Sequence, residues 1–153
     1  VINGKSVIYS RIGLTSDCFE FDKNFDFLNY FKNEKYDKDK TVIIVDECQF
    51  LTTKQVEELK DLSLEIPVLC YGLLTNFQTK LFEGSKRLVE LAESLQEIKS
   101  VCRCGRKATI NARLVNGKAV LEGDEVLIGG DESYENMCYW CWQKELKKGK
   151  EKG

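Results

Sequence analysis

The chain has 153 residues, 42% of them hydrophobic, a net charge of -2, seven Cys and no His. This length allows one compact core with a small appended unit. Lys and Arg are scattered rather than gathered into the basic stripe that neutralises a nucleic-acid backbone, so we expect no polymeric nucleic-acid partner. No apolar run approaches the roughly 18 residues of a membrane span. We therefore expect a soluble, cytoplasmic protein that makes no membrane contact.

A helix and a strand are predicted before the middle of the chain. Aromatic side chains fall near helical spacing at residues 25–36 and predict a short helix, and residues 37–40 form a charged turn. Residues 41–45 are a continuous β-branched run that ends in Asp46 and Glu47. Such a run predicts a strand buried on both faces of a parallel sheet, with acids at its carboxyl end.

A crossover unit follows. Thr52 and Gln55 offer a capping box for a helix whose apolar stripe consists of Val56, Leu59 and Leu64. The apolar run 66–73 predicts the next strand, which completes a strand, helix, strand unit of an α/β fold. Residues 87–98 repeat the helical pattern, with an apolar face made of Leu88, Leu91, Ala92, Leu95 and Ile98.

The pattern changes after Lys99. Residues 109–115 alternate, an Asn116-Gly117 turn follows, and residues 126–128 look strand-like, which together predict a β-hairpin between two cysteine pairs. The Lys-rich end predicts a frayed helix end and a solvated tail. We therefore divide the chain into an α/β domain at 1–100, a β-hairpin lobe at 101–143 and a tail at 144–153.

The two cysteine pairs indicate a metal site. Cys102 and Cys104 precede the hairpin, and Cys138 and Cys141 follow it. Four thiolates that converge can bind one tetrahedral zinc ion, which would stabilise a lobe too small to bury much core of its own. In a cytoplasmic protein, paired thiols favour metal binding over disulfides. The alternative is that these thiols are free or redox-active.

Two further features could take part in chemistry. Asp46 and Glu47 would lie at the sheet edge where α/β folds bind ligands and where nucleotide-hydrolysing proteins organise magnesium. The alternative is that they are two solvated acids that end a strand. The long loop 71–85 has glycines near both ends, which is typical of a functional lid. Alternatively, Phe77 and Phe82 only pin this loop to the core.

Four segments carry a family pattern in a fixed order: Val45 to Leu51, Cys70 to Ser85, Cys102 to Ala108 and Ile128 to Tyr134. Together they resemble the thymidine kinases of the cytosolic, zinc-containing type, and Ser10 to Leu14 resembles a segment of the bacterial branch. The resemblance spans most of the chain. It implies an α/β fold with a P-loop-NTPase-like parallel sheet and helices, plus a small zinc-ribbon-like β lobe that carries a lasso loop.

The resemblance implies transfer of the γ-phosphoryl group of ATP, with Mg²⁺, to the 5′-hydroxyl of thymidine or deoxyuridine in nucleotide salvage. Glu47 matches the general base that accepts the hydroxyl proton as the bond to phosphorus forms. Asp46 matches the acid that helps to hold magnesium. Cys48 and Gln49 belong to the same nucleotide-facing motif, so we assign Asp46, Glu47, Cys48 and Gln49 to the binding of ATP.

The resemblance also implies a set of nucleoside-binding residues. Phe77 matches the lasso aromatic that packs on the base, with Phe82 nearby in the loop, and Tyr134 matches the tyrosine that closes over the deoxyribose. Backbone groups would hydrogen-bond the pyrimidine edge from Glu125, Val126, Leu127, Ile128 and Gly129. Leu74 and Asn76 stand where many members have Arg and Asp, which makes this lasso less polar.

The phosphate-binding part of the family pattern is missing. The sequence has neither the Gly-rich phosphate loop nor a downstream Asp-x-x-Arg, and Gly4-Lys5-Ser6 matches only the tail of such a loop. The chain also begins at Val1 rather than Met. We expect a fragment without its amino-terminal phosphate-loop segment, and we expect this polypeptide alone to be nearly inactive.

The resemblance assigns a structural zinc ion to Cys102, Cys104, Cys138 and Cys141, and it implies a homotetramer. The alternative function is a non-catalytic zinc-ribbon module that binds a nucleoside or a protein. The motif around Glu47 and the paired aromatic residues argue against this alternative, because a pure binding module needs no base at a sheet edge.

Overall fold

The computed structural model describes residues 6–123 and 132–150 and shows a mixed α/β chain. The helices are α1 (Phe27–Asn33), α2 (Thr53–Leu62), α3 (Glu83–Leu91) and α4 (Tyr139–Lys150). The strands are β1 (Val7–Tyr9), β2 (Thr15–Asp17), β3 (Ile43–Val45), β4 (Val68–Cys70), β5 (Ser100–Val101), β6 (Lys107–Ala108), β7 (Ile110–Val115), β8 (Lys118–Ala119) and β9 (Glu132–Met137). None of the described helices is both long and apolar enough to cross a membrane.

The predicted crossover unit is confirmed. Strands β3 and β4 pair in parallel, with Val45 opposite Cys70, and α2 connects them. Helix α2 begins with the expected capping box, in which the Thr52 hydroxyl accepts the Gln55 N–H and the Gln55 side chain accepts the Thr52 N–H, both at 3.1 Å. This reciprocal pair satisfies two of the amide groups that a helix start leaves without partners.

The core of this unit lies on one side of the two strands. It consists of Phe27, Ile43, Val45, Cys48, Leu51, Val56, Leu59, Leu62 and Ile66. The prediction that residues 41–45 are buried on both faces is wrong, because Ile44 is 61% exposed. Side chains of α1, α2 and α3 pack against the face that bears Ile43 and Val45, and alternate side chains of a strand point to opposite faces.

Two predicted helices have different ends in the structure. Helix α2 stops at Leu62, so Leu64 lies beyond it and is exposed instead of completing the apolar stripe. Helix α3 begins at Glu83, four residues before the predicted start, and ends at Leu91. Ala92 has an extended backbone that breaks the helix, and Leu95 and Ile98 are therefore exposed rather than part of a buried face.

The second half of the chain forms a lobe around β7, which pairs antiparallel with both β8 and β9. The predicted turn is present: Asn116 and Gly117 have φ angles of 51° and 72° and connect β7 to β8. The described hairpin partner is thus Lys118–Ala119, whereas residues 126–128 lie outside the described residues. Helix α4 continues to Lys150, so most of the predicted tail is helical.

Candidate functional site

The carboxyl end of β3 turns sharply at Glu47. This residue has φ 52° and ψ 39°, a left-handed backbone conformation that is unusual for a side-chain-bearing residue. The Asp46 carboxylate accepts the Glu47 N–H at 2.9 Å and so supports the turn. Both carboxylates are exposed at the sheet edge. Strained backbone of this kind concentrates at functional sites, so the observation supports a functional reading of this edge.

Gln49 lies beneath these two acids and uses both ends of its amide. It is 3% exposed. Its Nε2 donates a hydrogen bond to Oε2 of Glu47, and its Oε1 accepts the backbone N–H of Leu73 at 3.1 Å. The structure therefore places Asp46 and Glu47 at the surface. It places Gln49 between Glu47 and the start of the loop 71–85, which is called the lasso loop below.

Cys48 is also buried beneath the edge. Its backbone N–H donates to the carbonyl of Tyr71 at 3.0 Å, which joins the turn after β3 to the end of β4. A hydrogen bond with the Cys70 sulfur raises the pKa of the Cys48 thiol, and burial raises it further. The same hydrogen bond lowers the pKa of Cys70. Cys48 thus lies in the core with its thiol beside that of Cys70.

The lasso loop is closed on itself by Asn76. Thr75 and Leu81 form an isolated antiparallel bridge across its neck. Within the loop, Oδ1 of the buried Asn76 accepts the backbone N–H groups of Gln78 at 2.9 Å and Lys80 at 3.1 Å. An amide oxygen can accept these bonds as a carboxylate would. Asn76, which stands where many family members have Asp, therefore still provides an acceptor for the backbone N–H groups of Gln78 and Lys80.

Phe77, predicted to pack on the base, is 2% exposed and lies under the guanidinium of Arg113 at 4.9 Å from the ring centroid. Arg113 on β7 is itself 1% exposed. The Gln78 side chain donates to the carbonyl of Leu121 at 2.8 Å, which adds a second connection from the loop to the lobe. Arg113 is not among the residues predicted from the sequence, where the available signal was a charged residue between Ala112 and Leu114 in a strand-like stretch.

Phe82 is buried as well, and its ring packs edge-on against Phe50 at 5.7 Å. The burial of Phe77 and Phe82 agrees with the alternative in which these rings hold the loop in place, and their contact with a nucleoside stays a prediction. Tyr134 lies half-exposed on β9, opposite Arg113 in the strand register. The residues predicted for the pyrimidine edge, Glu125, Val126, Leu127, Ile128 and Gly129, lie outside the described residues.

The four predicted zinc ligands converge in the lobe. The Sγ atoms of Cys102, Cys104, Cys138 and Cys141 all lie within 4.8 Å of one another, and those of Cys104 and Cys138 are 3.7 Å apart. Tetrahedral thiolates at the usual Zn–S distance of about 2.3 Å would be about 3.8 Å apart. The donor set and its spacing therefore fit one zinc ion.

Local backbone geometry brings the first pair of cysteines into place. Strands β5 and β6 enclose a tight turn in which the Cys102 N–H donates to the Arg106 carbonyl and the Gly105 N–H donates to the Cys102 carbonyl, both at 2.8 Å. Gly105 has φ 87°, which a glycine adopts without strain. This turn holds the Cys102 and Cys104 side chains on one side of the site.

The second pair lies at the start of α4, where the Cys141 N–H points at the Cys138 sulfur at 3.5 Å. Backbone N–H groups of Cys104 and Cys138 lower the pKa of Cys102 to about 6, and that of Cys141 lowers the pKa of Cys138. Burial raises the pKa of Cys141 to about 12. A bound cation would favour the ionised form of all four thiols.

Sequence comparison identifies the family. A model of the thymidine kinase family matches residues 3–142. The thymidine kinases of Shewanella oneidensis and Rhodopirellula baltica are each 44% identical over 138 residues, which cover 88% of this chain and 72% and 65% of those proteins. That of Yersinia pestis is 43% identical over 147 residues, or 94% of this chain and 75% of that protein. The chain therefore belongs to the thymidine kinase family.

Proposed function

We propose that the protein transfers the γ-phosphoryl group of ATP to the 5′-hydroxyl of thymidine or deoxyuridine and so makes a nucleoside monophosphate for salvage. Family membership, together with the exposed Glu47 carboxylate at the sheet edge, carries this proposal. The named relatives are thymidine kinases, and the match to the family model spans residues 3–142, which include this sheet edge. The structure does not support a non-catalytic binding module, because such a module would have no need of a fixed, exposed carboxylate at this edge.

In the proposed reaction, Glu47 is the general base. The 5′-oxygen of the nucleoside forms a bond to the γ-phosphorus while the bond between that phosphorus and the bridging oxygen of ADP breaks. The proton of the 5′-hydroxyl moves to the Glu47 carboxylate, and ADP leaves. Asp46 would help to hold Mg²⁺, which neutralises charge on the phosphates when bound. Because Oδ1 of Asp46 accepts the Glu47 N–H, its other oxygen is the one available for this role.

We assign recognition of the nucleoside to the lasso loop and the lobe. Phe77 and Phe82 come from the loop, Tyr134 from β9, and the backbone of residues 125–129 would meet the pyrimidine. The contact of Arg113 with the Phe77 ring and its position opposite Tyr134 connect these groups through one buried side chain. This arrangement would keep base-binding and sugar-binding groups at a fixed separation, which favours binding without a large ordering cost.

The zinc ion in this proposal is structural. Four cysteine ligands leave no open position for substrate, and closed sites of this type stabilise small lobes rather than catalyse reactions. We also propose a homotetramer in the cytoplasm, and the division of the chain at residues 1–100, 101–143 and 144–153 stays a prediction. Size-exclusion chromatography with light scattering would test the oligomeric state, and a monomer at micromolar concentration would contradict it.

The activity itself can be tested by product analysis. The full-length protein is incubated with ATP, Mg²⁺ and thymidine, deoxyuridine or deoxycytidine, and the products are identified by mass spectrometry. We expect monophosphates of thymidine and deoxyuridine together with stoichiometric ADP. Formation of ADP without either monophosphate, or no turnover at all, would contradict the proposed function.

A further inference from the structure

Gln49 is buried, and both ends of its side-chain amide are hydrogen-bonded to other groups of the protein. Its Nε2 donates to the Glu47 carboxylate, its Oε1 accepts the Leu73 N–H, and the residue is 3% exposed. A side chain in this position presents little surface to a bound nucleotide. Its assignment to ATP binding, made from its place in the family pattern, therefore has no geometric support in the structure.

We propose that Gln49 is a positioning residue, which fixes the orientation of the Glu47 carboxylate and connects it to Leu73 near the start of the lasso loop. This inference rests on the proposed function, because it assumes that Glu47 is the base. The amide occupies one carboxylate oxygen, and the other oxygen is left to accept the proton of the nucleoside hydroxyl. A carboxylate held in this way is already oriented for proton transfer when the nucleoside binds.

The surroundings of Gln49 show that its position is enforced. A Cβ atom on Gly72 would lie 2.5 Å from Oε1 of Gln49 and 2.7 Å from the Cys48 sulfur, so only glycine leaves room for the amide here. The carbonyl of Leu73 accepts the Ser85 hydroxyl at 2.5 Å, so both polar backbone groups of Leu73 are bound to buried side chains. The position of the Gln49 amide is therefore set by its packing against Gly72 and by its bond to Leu73, independently of Glu47.

This arrangement relates the base to the loop that carries Phe77. Leu73 lies three residues after the end of β4, near the start of the lasso loop. The Gln49 amide accepts the Leu73 N–H at one end and donates to the Glu47 carboxylate at the other. A shift of the loop entry would therefore move the amide and, through it, the base. The nucleoside pocket and the reacting carboxylate are thus expected to form one positional unit.

The test replaces Gln49 with Met in the full-length protein, which preserves length and volume but removes both hydrogen bonds. Gln55→Met is the matched control, because Gln55 is equally buried and makes hydrogen bonds at both ends of its amide without touching Glu47. We expect Gln49→Met to lower kcat about 10- to 100-fold while the KM values for ATP and thymidine stay within about threefold. Gln55→Met should reduce thermal stability but leave kcat within about threefold of the wild type.

Two results would overturn the inference. A raised KM for ATP with unchanged kcat would show that Gln49 contacts the nucleotide, and equal kcat values for Gln49→Met and Gln55→Met would show that its role is structural only. If Gln49→Met does not fold, Gln49→Leu serves instead, because it is also an uncharged side chain that cannot hydrogen-bond to Glu47; a wild-type kcat in that variant would also overturn the inference. A wild-type protein that does not phosphorylate thymidine contradicts the proposed function rather than the role of Gln49 alone.

Discussion

Replacing Gly84 with Ala should destabilise the protein, although the same change in a helix normally stabilises it. Gly84 is the second residue of α3, where this helix packs against the turn Cys48–Phe50. A Cβ atom at this position would lie 2.6 Å from the carbonyl oxygen of Leu51, 2.9 Å from that of Cys48 and 3.0 Å from that of Gln49. These three neighbours are backbone atoms, so they cannot move aside as the end of a flexible side chain would.

The sign of the effect follows from two opposing terms. Ala is favoured over Gly in a helix by up to about 1 kcal/mol. Overpacking a close contact costs about 1–3 kcal/mol, and the three carbonyl oxygens place Gly84→Ala at the upper end of this range. We therefore expect a net loss of about 1–2 kcal/mol in the free energy of unfolding.

Gly149→Ala in α4 is the control with the opposite sign. The nearest atom that its Cβ would meet is the carbonyl oxygen of Ala119 at 3.8 Å, an ordinary contact. Here only the helix term acts, and we expect a gain of up to about 1 kcal/mol. Urea denaturation followed by circular dichroism measures both variants. If Gly84→Ala proved as stable as the wild type, the close packing of α3 on the turn that carries Gln49 would be refuted.

Three further predictions concern the lobe, the start of α2 and the lasso loop. Elemental analysis should show that Cys138→Ser lowers bound zinc from about one ion per chain to near zero. The control Cys18→Ser lies outside the cluster and should keep its zinc. Zinc retained by both variants would exclude the cluster as the zinc site. The Thr53 backbone N–H and hydroxyl lower the pKa of the Glu83 carboxyl in the folded state. The ionised carboxylate therefore stabilises the fold above the unfolded-state pKa of Glu83, and this contribution is lost as pH falls through the lower folded-state pKa. In thermal melts, Glu83→Gln should therefore be less stable than the wild type at pH 7, and this difference should shrink as pH falls through the folded pKa of Glu83; a difference that does not change with pH would contradict this. Arg113→Met removes the cation over the Phe77 ring and should weaken thymidine binding in calorimetry, without loss of zinc; unchanged thymidine affinity would refute the connection.

Local signals in the sequence were sufficient for the elements that depend on neighbouring residues. The Thr52 and Gln55 capping box, the β-branched run before Asp46 and the Asn116-Gly117 turn are each governed by contacts within a few residues, and the structure confirms them. The cysteine cluster was predictable for a related reason. The two pairs lie beside one end of the antiparallel strands β7 and β9, in which Ile110 is opposite Met137, so they come together when these strands pair.

The features that the sequence did not reveal depend on contacts between distant segments. Gly84 was predicted to lie in a loop. In the structure it is a helix residue whose close neighbours are carbonyl groups more than thirty residues earlier, and only glycine leaves room for them. No sequence pattern indicated that Arg113 is buried, because its contact with the Phe77 ring joins distant parts of the chain. The buried amide of Gln49 was likewise visible only once Leu73 was placed beside it.

The central claim is that Glu47 acts as the base in thymidine phosphorylation, and its most direct test is Glu47→Gln in the full-length protein. The variant keeps the shape of the side chain but removes the carboxylate that would accept the proton. We predict that transfer of labelled γ-phosphate from ATP to thymidine falls by about 10²- to 10⁴-fold, while thymidine affinity measured by calorimetry stays within about threefold of the wild type. A Glu47→Gln variant that transfers phosphate at the wild-type rate would contradict the account.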